Sequence, residues 1–198
     1  MRSSILFLAL LLLSGCDIVN DPVTGPGGVT PPPEGETKRR VLIEDFTGFR
    51  CPNCPSAAVE AENIKDAYDE GNVVLVAVHA TSVFAAPVAP IGDGYFDTDF
   101  RTDDGDAYLQ AFPLTSLPKG MVNRTPYNGT IQMNYTAWSA ASASILSQTA
   151  KMDLWFSDLT YDGSNTVAGE VKIAVLEALG DTTYNMVVYL TEDHIFDD

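Results

Sequence analysis

The sequence predicts an α/β fold followed by a smaller β-rich C-terminal region. Three observations support this: two apolar runs of strand character at 41–46 and 72–80, a helical apolar spacing between them, and alternating segments near the C-terminus. Strands that alternate with helices favour a parallel sheet covered by helices, whereas successive strands favour an antiparallel region. A chain of 198 residues accommodates one such domain with a small appendage.

Residues 1–15 have the layout of a secretory signal peptide. Arg2 is followed by an apolar run over 5–13 and by the small residues Ser14 and Gly15, directly before Cys16. A bilayer span needs about 20 apolar residues, so this run is too short to cross a membrane. The pattern resembles the bacterial lipoprotein signal, in which the cysteine after the small residues is lipidated. That resemblance implies lipid attachment at Cys16 and a location in the cell envelope.

Residues 16–37 are rich in proline and glycine and poor in large apolar side chains. Such a segment cannot bury enough surface to fold, and it extends by about 3.1 Å per residue where proline dominates. We therefore predict a tether between the lipid anchor and a folded domain that starts at residue 38.

The first predicted strand precedes a pair of cysteines. Two sets of residues alternate along this strand: Val41, Ile43 and Asp45 in one, and Leu42, Glu44 and Phe46 in the other. Cys51 and Cys54 follow in the order Cys-Pro-Asn-Cys, and apolar residues at helical spacing over 56–70 indicate a helix that Gly71 ends. The pair therefore lies between a strand and the first turn of a helix.

A helix N-terminus presents free amide donors and a positive dipole end, which stabilise a thiolate and lower the pKa of a nearby cysteine. We expect Cys51 to be the more exposed, attacking sulfur and Cys54 to resolve a mixed disulfide. Arg50 either adds positive potential beside the pair or is a solvated side chain.

The order strand, Cys-x-x-Cys, helix, strand and proline-bearing turn over 41–124 resembles the thioredoxin-like superfamily. The resemblance implies a thioredoxin-like domain over 38–150. It implies that Asp45 is a buried acid that relays a proton for Cys54, the alternative being a hydrogen-bonded strand-end aspartate. It also implies a cis bond between Leu117 and Pro118, where the preceding backbone pairs with a substrate strand.

Two further segments fit this arrangement. The apolar run at 72–80 is typical of a central parallel strand, and its end carries His79, either a proton-transferring or thiolate-pairing group or a hydrogen-bonded strand-end residue. A helix-like piece at 107–112 precedes the turn with Pro118.

A second resemblance covers most of the chain. The lipoprotein signal and tether, with the segments VLIEDFTGFRCPNCP, VVLVAVHA, FRTDDGDAYLQAF and LPKGMVNR, resemble the Omp twenty-eight-related outer-membrane lipoproteins. This family combines a thioredoxin-like domain with a β-rich C-terminal part and has no well-defined activity. Its members usually continue with more strands, so we expect the β-rich region at 151–198 to be truncated.

The sequence predicts a helix over 136–150, directly before that region, and three strands within it. The strands are Met152–Leu159, Gly169–Ala178 and Tyr184–Thr191, where apolar and polar residues alternate. Three strands make a minimal sheet, which either packs on the first domain or belongs to a longer protein.

Charge and motif content narrow the range of partners. The formal net charge of −16 disfavours nucleic acid and anionic membrane surfaces, which are polyanions. The acids at 93–106 lack the EF-hand pattern and indicate a solvated loop, and only His79 and His194 are available to complete a zinc site with the cysteines. Phosphate-loop, serine-nucleophile and metalloprotease motifs are absent, so we expect no metal and no cofactor.

Two functions remain open from the sequence. In the first, an envelope thiol-disulfide oxidoreductase exchanges disulfides with envelope proteins or peptides through Cys51 and Cys54, with Asp45 and Pro118 in the same site. In the second, a non-catalytic envelope binding or scaffold lipoprotein carries a structural disulfide. An exported Cys-x-x-Cys pair is normally oxidised in both cases, so oxidation alone does not separate them. No pattern predicts an oligomeric state.

Overall fold

The computed structural model describes residues 39–88, 96–180 and 183–192. All of them belong to one compact unit, Glu36–Asp198. The predicted signal peptide, Cys16, the tether and His194 lie outside the described residues. In the part of the chain that is described, no helix combines the length and apolar character needed to span a bilayer.

A three-stranded mixed sheet forms the centre of the fold. Strand β1 (Val41–Thr47) pairs in parallel with β2 (Val73–His79) and antiparallel with β3 (Lys119–Val122), giving the order β2-β1-β3. β1 is nearly fully buried because it is the middle strand and has helices on both faces. The predicted mixed α/β class is confirmed.

Three helices cover this sheet. α1 (Cys54–Asp66) connects β1 to β2, α2 (Asp103–Ala111) precedes β3, and α3 (Trp138–Leu146) follows a 3-10 turn at Tyr135–Ala137. On one sheet face Val41 and Ile43 pack against α1 and α3, and on the other Phe46 and Met121 pack against α2. Because neighbouring strand residues point to opposite faces, Asp45 is on the α1 side and Glu44 on the α2 side.

Helix α2 begins earlier than the sequence predicts. Thr102 is its N-cap, and the threonine hydroxyl accepts a hydrogen bond from the backbone N–H of Gly105 at 3.0 Å. Asp103, Asp104 and Asp106 lie in the first turn, where the positive end of the helix dipole favours carboxylates. The interpretation of these acids as part of a solvated loop is therefore wrong, whereas Asp93 lies outside the described residues.

Two of the three C-terminal strands form. β4 (Met152–Tyr161) and β5 (Val167–Val175) make an antiparallel hairpin with a register shift between Ser157 and Thr160. The predicted strand Tyr184–Thr191 is wrong, since residues 183–192 contain no strand. In place of ladder pairing, Tyr189 in this segment turns its hydroxyl to Glu44 of the central sheet.

Candidate functional site

Cys51 and Cys54 form a disulfide, as the sequence predicted, with their Cα atoms 5.4 Å apart. Cys54 is the first residue of α1, and Pro55 follows it at a position where a helix tolerates the missing N–H. Cys51 precedes the helix, and its carbonyl accepts a hydrogen bond from the N–H of Cys54 at 3.3 Å. The pair therefore lies where β1 ends and α1 begins.

The loop between β1 and the disulfide is held by backbone contacts. The N–H of Cys51 donates to the carbonyl of Gly48 at 2.9 Å, and the N–H of Arg50 donates to the carbonyl of Phe84 at 3.0 Å. A Cβ at position 48 would lie 2.6 Å from the same Phe84 oxygen, so only glycine fits. The Arg50 guanidinium lies 3.5 Å from the Ser82 carbonyl, so this side chain contacts the loop after β2.

Both cysteines are buried in the disulfide state. Cys51 is 5% exposed and Cys54 is 3% exposed. The predicted order of exposure therefore holds only by a small margin, and neither cysteine is freely accessible in this state. The hydrogen bonds of the 48–51 loop fold it inward, which a strand-to-helix pattern in the sequence does not reveal. A reacting partner must displace part of this loop or its neighbours.

Asp45 lies on the α1 side of the sheet, in the middle of β1. It is 7% exposed and stands opposite Ala77 of β2 and Gly120 of β3. Its Oδ1 atom has no hydrogen-bond partner among the described residues. Burial raises the pKa of the Asp45 carboxyl from 3.8 to about 7. This acid therefore exchanges a proton near neutral pH, and it belongs to the strand that leads into the disulfide loop.

Pro118 follows a cis peptide bond, as predicted, and directly precedes β3. Through the pairing of β3 with β1, Lys119 stands opposite Phe46 and Gly120 opposite Asp45. The structure thus brings the proline turn beside the strand that carries Asp45.

His79 is the last residue of β2 and stands opposite Thr47 of β1. Its ring centroid lies 5.4 Å from that of Phe100, and Phe49 lies 5.4 Å from Phe100 and 5.5 Å from Phe96. Burial lowers the pKa of the His79 imidazole, which favours its neutral form. These rings form an aromatic cluster beside the loop that precedes Cys51.

A second polar cluster, which the sequence did not predict, lies on the α2 face of the sheet, opposite the face that carries Asp45. Glu44 is 1% exposed and forms a two-pronged ion pair with Arg124, with distances of 2.7 and 3.0 Å. The one available signal was a glutamate at a position of β1 that shares a face with Phe46. Elsewhere in the described ranges, no three His, Cys, Asp or Glu side chains are arranged to hold a metal ion.

The similarity of this chain to known proteins is low. No protein-family model matches the sequence, and no curated protein matches it. A solved structure, HBP35 of Porphyromonas gingivalis, is similar at 19% sequence identity with a TM-score of 0.43, over 65% of this chain and 39% of that one. The chain thus spans about two fifths of the solved chain it matches.

Proposed function

We propose that this protein performs thiol-disulfide exchange through Cys51 and Cys54, on a domain of thioredoxin-like architecture. The observation that carries the proposal is the disulfide at the start of α1, next to a strand whose buried Asp45 has a pKa of about 7. The turn with Pro118 and the antiparallel pairing of β3 with β1 support the thioredoxin-like architecture. Substrates are proteins or peptides of the cell envelope.

The chemistry starts from the oxidised pair. A substrate thiolate attacks the Sγ atom of Cys51, the Cys51–Cys54 bond breaks, and Cys54 leaves as a thiolate that takes a proton from the Asp45 carboxylic acid. A second substrate thiolate then attacks the substrate sulfur of the mixed disulfide, and Cys51 leaves as a thiolate. The substrate loses two electrons in forming its disulfide, and the cysteine pair gains them. The reverse sequence reduces a substrate disulfide, with Asp45 accepting the proton of Cys54.

The position of Cys51 before a helix N-terminus favours its sulfur as the one that reacts with substrate. The free amide groups and the dipole of α1 stabilise a thiolate there. Cys51 is therefore a better leaving group, and a larger fraction of it is ionised when the pair is reduced. Cys54 is inside the helix and more buried, so it is suited to intramolecular resolution.

The location belongs to the same proposal. The signal-like residues 1–15, Cys16 and the tether support a lipoprotein of the cell envelope, and the motif resemblance supports an outer-membrane member of the Omp twenty-eight-related group. Labelling with radioactive palmitate tests the anchor. Incorporation is expected in the unchanged protein and is lost in Cys16→Ala, and label that persists in Cys16→Ala contradicts the assignment.

One observation favours a second function. Because both cysteines are buried, the disulfide also fits a structural bond in a non-catalytic envelope binding or scaffold lipoprotein. Structural disulfides in exported proteins typically have reduction potentials below about −300 mV, whereas catalytic ones are less reducing. The two functions therefore differ in a measurable property of the same bond.

A trapping experiment separates these two functions. Cys54→Ser leaves Cys51 without its resolving partner, so mixed disulfides with envelope proteins accumulate and appear on non-reducing gels. Cys51→Ser is the matched control, because it retains Cys16 and one cysteine of the pair but removes the proposed attacking sulfur. Equal trapping by both variants, or a redox titration with a potential well below about −300 mV, refutes the exchange activity and leaves the structural function.

A further inference from the structure

The Tyr189 side chain contacts the folded domain, whereas its neighbours in the chain are exposed. It lies in a segment, 183–192, without helix or strand, where Val187 and Val188 are exposed and Leu190 is 89% exposed. The Tyr189 side chain, in contrast, turns toward the α2 face of the central sheet, where its hydroxyl donates to Glu44 Oε1 at 2.7 Å. One side chain of an extended, exposed segment is therefore bound by the folded domain.

The residues that receive Tyr189 are organised by contacts of their own. Glu44 and Arg124 form their two-pronged ion pair directly. The Arg124 guanidinium lies 4.9 Å from the ring centroid of Tyr108 and 5.3 Å from that of Phe112. Two aromatic rings of α2 and its C-cap thus hold the arginine in place beneath the carboxylate. None of these contacts includes an atom of Tyr189.

The pocket matches a phenol in both shape and polarity. The ring of Tyr189 stacks on that of Tyr108 with centroids 6.2 Å apart and an angle of 14°. Its hydroxyl also accepts hydrogen bonds from Arg124 Nη2 at 2.6 Å and from the Tyr108 hydroxyl at 2.9 Å. A phenylalanine has the ring but lacks the hydroxyl, so the buried Glu44 carboxylate would have one hydrogen-bond donor fewer. Hydrogen bonds to charged groups are among the stronger ones in proteins, so the pocket distinguishes tyrosine from phenylalanine.

The protonation state of the phenol is consistent with this role. Burial first, and then the hydrogen bonds with Tyr108 and Glu44, raise the pKa of Tyr189 above its usual value. The hydroxyl therefore keeps its proton and can donate to the Glu44 carboxylate. The hydrogen bonds with Glu44 likewise raise the pKa of Arg124, which remains a cation.

We propose that Glu44, Arg124, Tyr108 and Phe112 form a tyrosine-binding site whose ligand is a tyrosine on an extended peptide segment. In this structure the segment 183–192 is that ligand, bound through Tyr189. The segment has neither helix nor strand, and in this proposal it acts as a separable ligand. The site lies on the sheet face opposite α1, so it is independent of the cysteine pair and of the exchange activity proposed above.

The test is a binding measurement on the full chain with Tyr189→Ala, which empties the site. The probe is a synthetic peptide with the sequence of residues 183–192, blocked at both ends and carrying a fluorophore for anisotropy. We expect the peptide to bind this variant and to bind the unchanged protein more weakly, since the unchanged protein's own Tyr189 occupies the site. Absence of binding to Tyr189→Ala with a native circular dichroism spectrum overturns the proposal.

The segment supplies its own matched control, because it contains a second tyrosine. A peptide with Tyr189→Phe should bind at least about tenfold more weakly, while one with Tyr184→Phe should bind as the unchanged peptide does. Equal affinities of the two substituted peptides overturn the assignment.

If Tyr189→Ala does not fold, amide hydrogen exchange tests whether the site binds the Tyr189 hydroxyl. In that case Tyr189→Phe in the full chain should speed amide exchange in 183–192, and Tyr184→Phe should not. Equal exchange in these two variants refutes the site.

Discussion

Replacing Asp45 by asparagine should change how the stability of the protein depends on pH. The folded-state pKa of Asp45 is about 7, against 3.8 for an ordinary aspartate. A group whose pKa is raised by folding holds its proton more tightly in the folded state, so stability falls as the pH rises between these two values. At about 1.4 kcal/mol for each pH unit, the full cost of the buried carboxylate is about 4 kcal/mol above pH 7.

This cost can be measured in a range where the chain remains well charged. With the same two pKa values, the linkage relation gives a loss of about 2 kcal/mol in the free energy of unfolding between pH 5.5 and pH 8.5. Asp45→Asn removes the titrating group, and this loss should disappear, while the buried His79, whose pKa is lowered, contributes a change of the opposite sign in both proteins. Urea denaturation with the disulfide intact, followed by circular dichroism at both pH values, measures it for each protein.

The control is Asp99→Asn, because the pKa of the Asp99 carboxyl is shifted in the opposite direction. The hydrogen bond from the Arg101 guanidinium lowers the pKa of Asp99 to about 2. Its contribution to stability is present above the unfolded-state pKa and is lost only as the pH falls toward 2, so this variant should keep the pH dependence of the unchanged protein over the same range. If Asp45→Asn keeps that dependence too, the carboxyl is already charged in the folded state, and the proton transfer to Cys54 loses its basis.

Two further substitutions test the packing and capping around the site. Gly120→Ala places a methyl group 2.7 Å from Trp138 Cε2 and 2.8 Å from the Glu44 carbonyl, and it should lower the free energy of unfolding by about 1–3 kcal/mol in urea titrations. A change below about 0.5 kcal/mol would contradict the close approach of β3 to Trp138. Thr102→Ala removes the N-cap of α2 and should cost about 1 kcal/mol, while Thr102→Ser should be nearly neutral. Equal losses in both Thr102 variants would show that the hydroxyl does not act as a cap.

Several parts of the structure were predictable because their signals are local. The alternation along 41–46 identifies the central strand and places Asp45 and Glu44 on opposite faces, which the structure reproduces. The Cys-Pro-Asn-Cys spacing and the prolines beside it identify the disulfide and the start of α1. These features depend on residues within a few positions of each other, where backbone geometry and turn chemistry dominate.

The parts that were missed depend on contacts between distant positions. Glu44 meets Arg124 and Tyr189 across separations of 80 and 145 residues. A single sequence shows that Tyr184–Thr191 alternates, but not that Tyr189 finds a better partner in a buried ion pair than in a strand ladder. The burial of Cys51 similarly depends on where the loop after β2 returns, through the bond between Arg50 and Phe84.

The β4–β5 hairpin bears on how the protein behaves in solution. One face of this hairpin is apolar throughout, and Leu154, Phe156, Ile173 and Val175 on it are exposed. At neutral pH the formal charge of −16 keeps molecules apart, but this repulsion reaches only about 8 Å at physiological ionic strength and weakens as carboxylates protonate. Short-range apolar attraction then dominates. Solubility should therefore follow salt and acidity more closely than it follows thermal stability, and a fully folded sample should precipitate on acidification well before it unfolds.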